Sequence, residues 1–146
     1  MIKVENKRSS CPVSTSLEII GDTWTLVLIR NFFLGSITFA DFKKTPENIA
    51  TNILSDRLKK LMKYKLIEYQ LHPKNKKIKQ YYLTEAGINL YPLIYDILIW
   101  GKNNLDMEIG PIGSDFYERN KNKKRKDTIK DSIIAYKEFK NSFLVN

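Results

Sequence analysis

With 146 residues, 42% of them apolar, the chain is long enough for one folded domain with a tail, and its core needs no disulfide or metal staple. The formal charge of +9 sits beside a single cysteine, Cys11, which excludes an internal disulfide framework and suits a reducing compartment. The N-terminus lacks a secretory pattern. The longest apolar run, Leu93 to Trp100, is interrupted by Asp96 and falls short of the roughly 20 residues a membrane span requires, so a cytoplasmic protein without a membrane partner is expected.

In chain order, residues 1–10 are polar and read as a loose arm. Pro12 to Ile20 reads as a short helix with Val13, Leu17 and Ile20 on one face, closed by Gly21. Asp22 can cap a second helix, Trp24 to Leu34, which ends at Gly35. That helix is apolar almost all round (Leu26, Val27, Leu28, Ile29, Phe32, Phe33) and should form the buried spine. Ser36 and Ile37 suggest a weak strand. Thr38 then caps a third short helix, Phe39 to Lys44, which Pro46 stops.

After a turn at Asn48, the stretch Thr51 to Met62 is amphipathic. Leu54, Leu58 and Leu61 form one stripe, while Asn52, Asp56, Lys59 and Lys63 fall opposite. Two strand-like runs follow, Leu66 to Leu71 and Ile78 to Leu83, joined by the lysine-studded turn Pro73-Lys74-Asn75-Lys76-Lys77. Thr84 and Glu85 then begin a helix that is expected to run to about Leu105 and to bend at Pro92. One of its stripes holds Leu90, Ile94, Ile97 and Leu98; the other holds Ile88, Tyr91, Tyr95 and Ile99. A helix apolar on both sides needs two partners, and a twofold copy of the chain is the simplest second one. Gly110-Pro111-Ile112-Gly113 breaks the pattern, Asn120 to Lys126 is a basic run, and Thr128 to Leu144 reads as a terminal amphipathic helix docked on the body or on a partner subunit. Three segments result: an arm (1–10), a domain (11–105) and a helical extension (106–146).

The charge is concentrated. Between Lys43 and Lys79, eleven Lys and Arg residues face three acids, a net +8 within a quarter of the chain. This implies a polyanion partner, against the plainer alternative of a solvated basic surface. Short helix, turn, amphipathic helix and basic hairpin together predict a mainly α fold with a small β-hairpin (α+β), the winged helix-turn-helix, and double-stranded DNA as partner. Enzyme chemistry has little to stand on. His72 is the single histidine, no Gly-rich phosphate loop or nucleophile elbow is present, and no catalytic residue, metal or cofactor is expected.

Several pieces in collinear order resemble the HxlR-type family of bacterial winged-helix regulators. They are Cys11-Pro12-Val13, Ile20-Gly21-Asp22-Thr23-Trp24-Thr25, Arg30, Phe39, Ile49 through Arg57-Leu58-Lys59-Lys60-Leu61, Leu66-Ile67, Tyr82-Leu83-Thr84-Glu85-Ala86-Gly87, Pro92 and Trp100-Gly101. The match spans roughly residues 11–101. It implies a homodimer, built from the first and last core helices, on a pseudo-palindromic operator near a promoter. Three departures stand out: Ala50 where many members carry a serine cap, Asn48 where glycine is usual, and Lys65 where glycine is frequent.

Applied to this chain, Thr51, Asn52, Ser55 and Asp56 are candidates for base edges in the major groove, with Asn52 suited to adenine. Asp56 suits either cytosine N4 or an i,i+4 pair with Lys60. Lys43, Arg57, Lys59 and Lys60 are candidates for phosphates, or Arg57 for a buried tie to another helix. Lys74, Lys76, Lys77 and Lys79 form the wing. The dimer face is expected at Val13, Leu17, Ile88, Tyr91, Tyr95 and Ile99. Family resemblance also makes Cys11 a candidate sensor of electrophiles or oxidants, near the basic Lys7 and Arg8; the alternative is a small apolar residue at the dimer seam. Trp24, Phe32 and Trp100 are either walls of an effector pocket or plain core. The alternative to a specific regulator is a winged-helix module that binds DNA without preference, or binds protein.

Overall fold

The local chemistry explains where each element starts and stops. In the computed structural model, which describes residues 1–5 and 7–145, α1 (Pro12–Ile20) places Pro12 in its first turn, where a missing N–H is no loss. Asp22 accepts from the Trp24 and Thr25 N–H groups, both at 3.0 Å, and so caps α2 (Thr25–Phe33). This helix is the expected spine: Leu28, Ile29 and Phe32 are fully buried. Gly35, at φ 96°, turns the chain in a conformation that side chains avoid. Thr38 and Asp41 then form a reciprocal capping box on α3 (Phe39–Lys43), and the Phe42 ring packs 4.8 Å from Phe32.

The amphipathic stretch forms α4 (Thr51–Lys63), which buries Leu54, Leu58 and Leu61. It ends in a Schellman motif: Leu66 N–H bonds Leu61 O, and Lys65 N–H bonds Met62 O, each at 2.9 Å. The sheet is a single antiparallel hairpin of β1 (Ile67–His72) and β2 (Asn75–Leu83). Ser36-Ile37 forms no strand, yet Ile37 O accepts from Tyr81 N–H and so supplies one bond to the outer edge of β2.

The long helix expected from Thr84 to Leu105 is two helices. α5 (Glu85–Ile88) ends at Asn89, and α6 (Tyr91–Asn104) begins with Pro92 in its first turn. Pro92 therefore starts a helix instead of bending one, because only there is its lost N–H harmless. Gly87 allows α5 to lie against the start of β1: a Cβ at that position would fall 2.1 Å from Leu66 O. The Gly110–Gly113 stretch, expected only to break the pattern, holds the start of α7 (Pro111–Asn120). A turn leads into α8 (Arg125–Phe143), and Tyr136 of that helix joins the main core with its ring 4.8 Å from Phe33. The tail thus docks on the body of its own chain. The arm is less loose than its polarity suggested, since Ile2 and Val4 pack against the same core.

Candidate nucleic-acid interface

The exposed face of α4 begins bare. Its N-cap, Ala50, has no side-chain acceptor for the first N–H groups; Thr51, Asn52, Asp56 and Lys59 are exposed, and Ser55 is half-buried. Half a helix further on, two of the cations have partners. Asp22 Oδ1 accepts from Arg57 Nε at 2.8 Å, and its Oδ2 accepts from Lys60 Nζ at 3.0 Å and from Thr25 Oγ1 at 2.5 Å. Burial alone would raise the Asp22 pKa. The hydrogen bonds from Thr25, Lys60, the Trp24 backbone and Arg57 outweigh it and hold the carboxyl well below the usual carboxylate range. Asp22 thereby caps α2 and fastens α4 to it. The tie expected for Arg57 is present; Lys60 shares it and forms no pair with Asp56.

Lys43, at the end of α3, donates to Ile49 O in the turn before α4. Its charge therefore stands beside the entry to α4. Asn48, in the same turn, has φ 52°. Arg30 of α2 pairs with Glu47 at 2.7 Å, which fastens the other side of that turn.

The wing carries Lys74, Lys76, Lys77 and Lys79, all exposed. Its register is irregular: Leu71 pairs with Lys79 but His72 pairs with Asn75, so Lys76, Lys77 and Ile78 have no opposite partners in the ladder. A bulge of this kind re-aims side chains, here two lysines, away from the regular alternation. Asn75 Oδ1 accepts from Lys77 N–H at 3.1 Å, and His72 Nδ1 accepts from Lys74 N–H at 3.1 Å, so the one histidine shapes the turn. Lys79 stands 4.5 Å from the centre of the Tyr69 ring. Sequence reasoning missed two contributors, the bridging role of Asp22 and the Gln70–Gln80 pair at 2.8 Å. The sequence signalled Asp22 only as a cap, and nothing local marked the glutamine pair.

The family model described as HxlR-like helix-turn-helix matches residues 19–109, well over half of the chain. The chain belongs to the HxlR family. It is 31% identical to the uncharacterised HTH-type transcriptional regulator YdeP of Bacillus subtilis, over 66% of this chain and 75% of that one. It is also 31% identical to the uncharacterised HTH-type regulator Rv3095 of Mycobacterium tuberculosis, over 68% of this chain but 62% of the relative, less than two thirds of its length. Among solved structures it resembles PA1607, a candidate transcription factor, with TM-score 0.63 and 31% identity over 70% of this chain and 73% of that one. It also resembles the oxidised form of the redox regulator HypR, with TM-score 0.59 and 28% identity over 66% of this chain and 100% of that one. As a member of that family it is a DNA-binding transcription regulator with a winged helix-turn-helix, a class that is not enzymatic.

The apolar faces of this HxlR chain differ from expectation. Ile88 and Tyr91, expected at a dimer interface, are 1% and 7% exposed: both are buried in their own chain, with the Tyr91 ring 4.4 Å from Phe33. Tyr95 and Ile99 are half-buried and line a small cleft against Phe116 and Tyr117 of α7. The second partner that α6 required is thus supplied by the extension. Left open are Val13 and Leu17 on α1, 68% and 57% exposed, and a stripe of α6 at i, i+4, i+7: Leu93, Ile97 and Trp100, at 38%, 48% and 60%. Phe32 is core, Trp24 is half-buried and Trp100 is exposed, so the three do not enclose a common pocket. Cys11 is exposed at the N-cap of α1, with its N–H on Ser9 Oγ at 3.2 Å. Among the described residues no helix is long and apolar enough to cross a membrane, and no acid, histidine or cysteine cluster could hold a metal ion.

Proposed function

We propose that the chain acts as a homodimer on a pseudo-palindromic operator, with α4 reading bases and the wing gripping phosphates. The observation that carries this reading is the pairing of a bare polar helix start with a bulged wing. Thr51, Asn52 and Asp56 have no partner within the described residues, and Lys74, Lys76 and Lys77 have no acidic neighbour within 4 Å among them. Asn52 matches the donor–acceptor pattern of adenine in the major groove, and Ser55 and Asp56 lie within one turn of it. Lys59, exposed on the same face, and Lys43 add positive charge along the phosphate path, while Arg57 and Lys60 act mainly by fixing the helix. The apolar side chains of Val13, Leu17, Leu93, Ile97 and Trp100 supply the surface for a second copy.

Selection of bound duplexes from a random pool tests this reading. The expected product is two inverted half-sites about 34–36 Å apart, centre to centre, bound roughly 10³-fold or more tighter than random DNA. A pool that stays random would favour the alternative, a winged-helix module without sequence preference or one that binds protein. Trp100→Glu should yield single chains in sedimentation and abolish binding to the paired site.

A second reading is supported by Cys11, an exposed thiol at a helix start in a chain similar to a redox regulator. Diamide would take two electrons and two protons from the Cys11 thiols of two protomers and join them as a disulfide. Operator binding by wild type should then change while Cys11→Ser is indifferent. Equal behaviour of the two after diamide would end this reading.

A further inference from the structure

We infer that α8 is a strut that sets the angle of the wing, with Gln70 and Tyr136 as positioning residues for DNA binding; the inference rests on the reading of the hairpin as a DNA-gripping wing. A two-stranded ribbon is marginal by itself and twists freely. The base of this one is held by the core, where Ile67, Tyr81 and Leu83 are buried. Further out on the same face that support ends, since Tyr69 and Leu71 are 41% and 44% exposed. On the opposite face the pattern reverses. Gln80, which alternation turns away from Tyr81, is only 7% exposed.

The cover comes from the end of α8. Gln70 Nε2 donates to Phe143 O at 2.8 Å as well as to Gln80 Oε1 at 2.8 Å, and Gln70 Oε1 accepts from Val145 N–H at 3.0 Å. The side chain of one mid-wing residue therefore bonds the backbone on both sides of the helix C-cap. Nearer the base, Tyr136 Oη accepts from Leu83 N–H at 2.7 Å and Lys140 Nζ donates to Leu83 O at 3.2 Å. Together with Ile37, these groups occupy the outer edge of β2, where a third strand would otherwise bond.

The far end of α8 is tied to α6, where Arg125 meets Asp96 in a two-pronged pair at 2.7 and 2.6 Å, and beside Tyr136 the next residue, Lys137, meets Glu85 of α5 at 2.9 Å. Nineteen residues of helix span about 28 Å, so one rigid rod joins α6 to the middle of the wing. This rod lies outside residues 19–109, the span matched by the family model. The wing lysines sit on a lever whose pivot is the core and whose stop is the tail.

The test uses full-length protein carrying Gln70→Ala, Lys76→Ala with Lys77→Ala, and all three changes together. Gln70→Ala removes no cation. The strut predicts that it nevertheless flattens the dependence of log K on log salt by about two, equivalent to roughly two lost phosphate contacts. Affinity loss between 50 and 200 mM salt would then shrink by about tenfold. With Lys76 and Lys77 already removed, Gln70→Ala should flatten the slope little further, since only Lys74 and Lys79 remain on the wing. Without DNA, amides from Tyr69 to Ile78 should exchange faster in Gln70→Ala while the melting temperature stays within a few degrees of wild type; Tyr136→Phe, which retains the ring, should act in the same direction. An unchanged salt slope and unchanged wing exchange in Gln70→Ala would overturn the strut. If the double lysine variant alone leaves the slope intact, the wing reading falls instead, and the exchange data still decide whether α8 holds the hairpin.

Discussion

The two halves of α4 carry similar polar side chains and are treated in opposite ways. At the N-terminal half, Thr51, Asn52 and Asp56 face outward without partners among the described residues, and the cap position is the inert Ala50. At the C-terminal half, Arg57 and Lys60 converge on Asp22, and the helix ends in a fully bonded Schellman motif. Recognition needs this division. A base-reading end must leave its hydrogen-bonding groups unused, and a helix can present them in a fixed register only if something else holds it still. Charge counted along the sequence does not distinguish the two uses. Three of the eleven bases between Lys43 and Lys79, namely Lys43, Arg57 and Lys60, are hydrogen-bonded inside the protein.

The largest expected effect comes from breaking the held half. Asp22→Ala uncaps α2 and leaves two cations, 27% and 25% exposed, without their partner. A loss of about 2–3 kcal/mol is expected, from an N-cap and a partly buried ion pair together. Thermal unfolding measures it, and operator affinity should fall with it. The same site has a pH signature. The folded-state pKa of Asp22 lies below its unfolded value, near 3.9, so its stabilisation is complete above that value and is lost as pH falls below it. Wild type should therefore lose stability below about pH 4 more steeply than Asp22→Asn does. Parallel curves would show that the carboxylate is not the clamp.

The bare half should respond differently. Asn52→Ala touches no internal partner, so unfolding should be unchanged within about 0.5 kcal/mol, while discrimination at one base pair per half-site drops by about 1–3 kcal/mol. Competition between matched and mismatched duplexes reads this directly. Equal losses on operator and random DNA would remove Asn52 from the base-reading set.

The contrast between the halves was only partly legible in the sequence. The buried stripe of α4 and the lysine-rich hairpin were, because both are local: one follows from helical spacing and the other from composition. The clamp was not, because Asp22 precedes Arg57 by 35 residues and Lys60 by 38. Periodicity also misjudged α6. Its second apolar stripe was real, but Tyr91 packs on Phe33 of α2 and Tyr95 faces the extension, so a surface that looked intermolecular became intramolecular. Pro92 and Pro111 were read as a kink and a break; each stands in the first turn of a helix, where proline is at home. The positions where glycine was expected from the family resemblance, Asn48 and Lys65, are the two non-glycine residues with positive φ among those described.

Lys65 offers a way to sharpen the comparison at the held end. It occupies the left-handed position of the Schellman motif at φ 53°, where glycine avoids a steric cost of about 1 kcal/mol. Its side chain is exposed and its carbonyl accepts from Thr84 Oγ1 at 2.7 Å, a bond that glycine keeps. Lys65→Gly should therefore raise stability by about 0.5–1 kcal/mol and leave sequence preference alone.

Ala50→Ser addresses the bare end with the smallest effect. The N-cap backbone, at φ −64° and ψ 144°, is already in the extended conformation that a serine cap uses. The hydroxyl would satisfy one of the free N–H groups of the first turn, worth about 0.5–1 kcal/mol in chemical denaturation. On DNA two forces compete. The cap stiffens the reading end, yet it also takes an N–H that a phosphate at the helix start can use. If α4 approaches the duplex through side chains alone, operator affinity should hold or rise with stability. A protein made more stable but weaker on every duplex would instead mean that Ala50 keeps the helix N-terminus open as a phosphate contact in its own right.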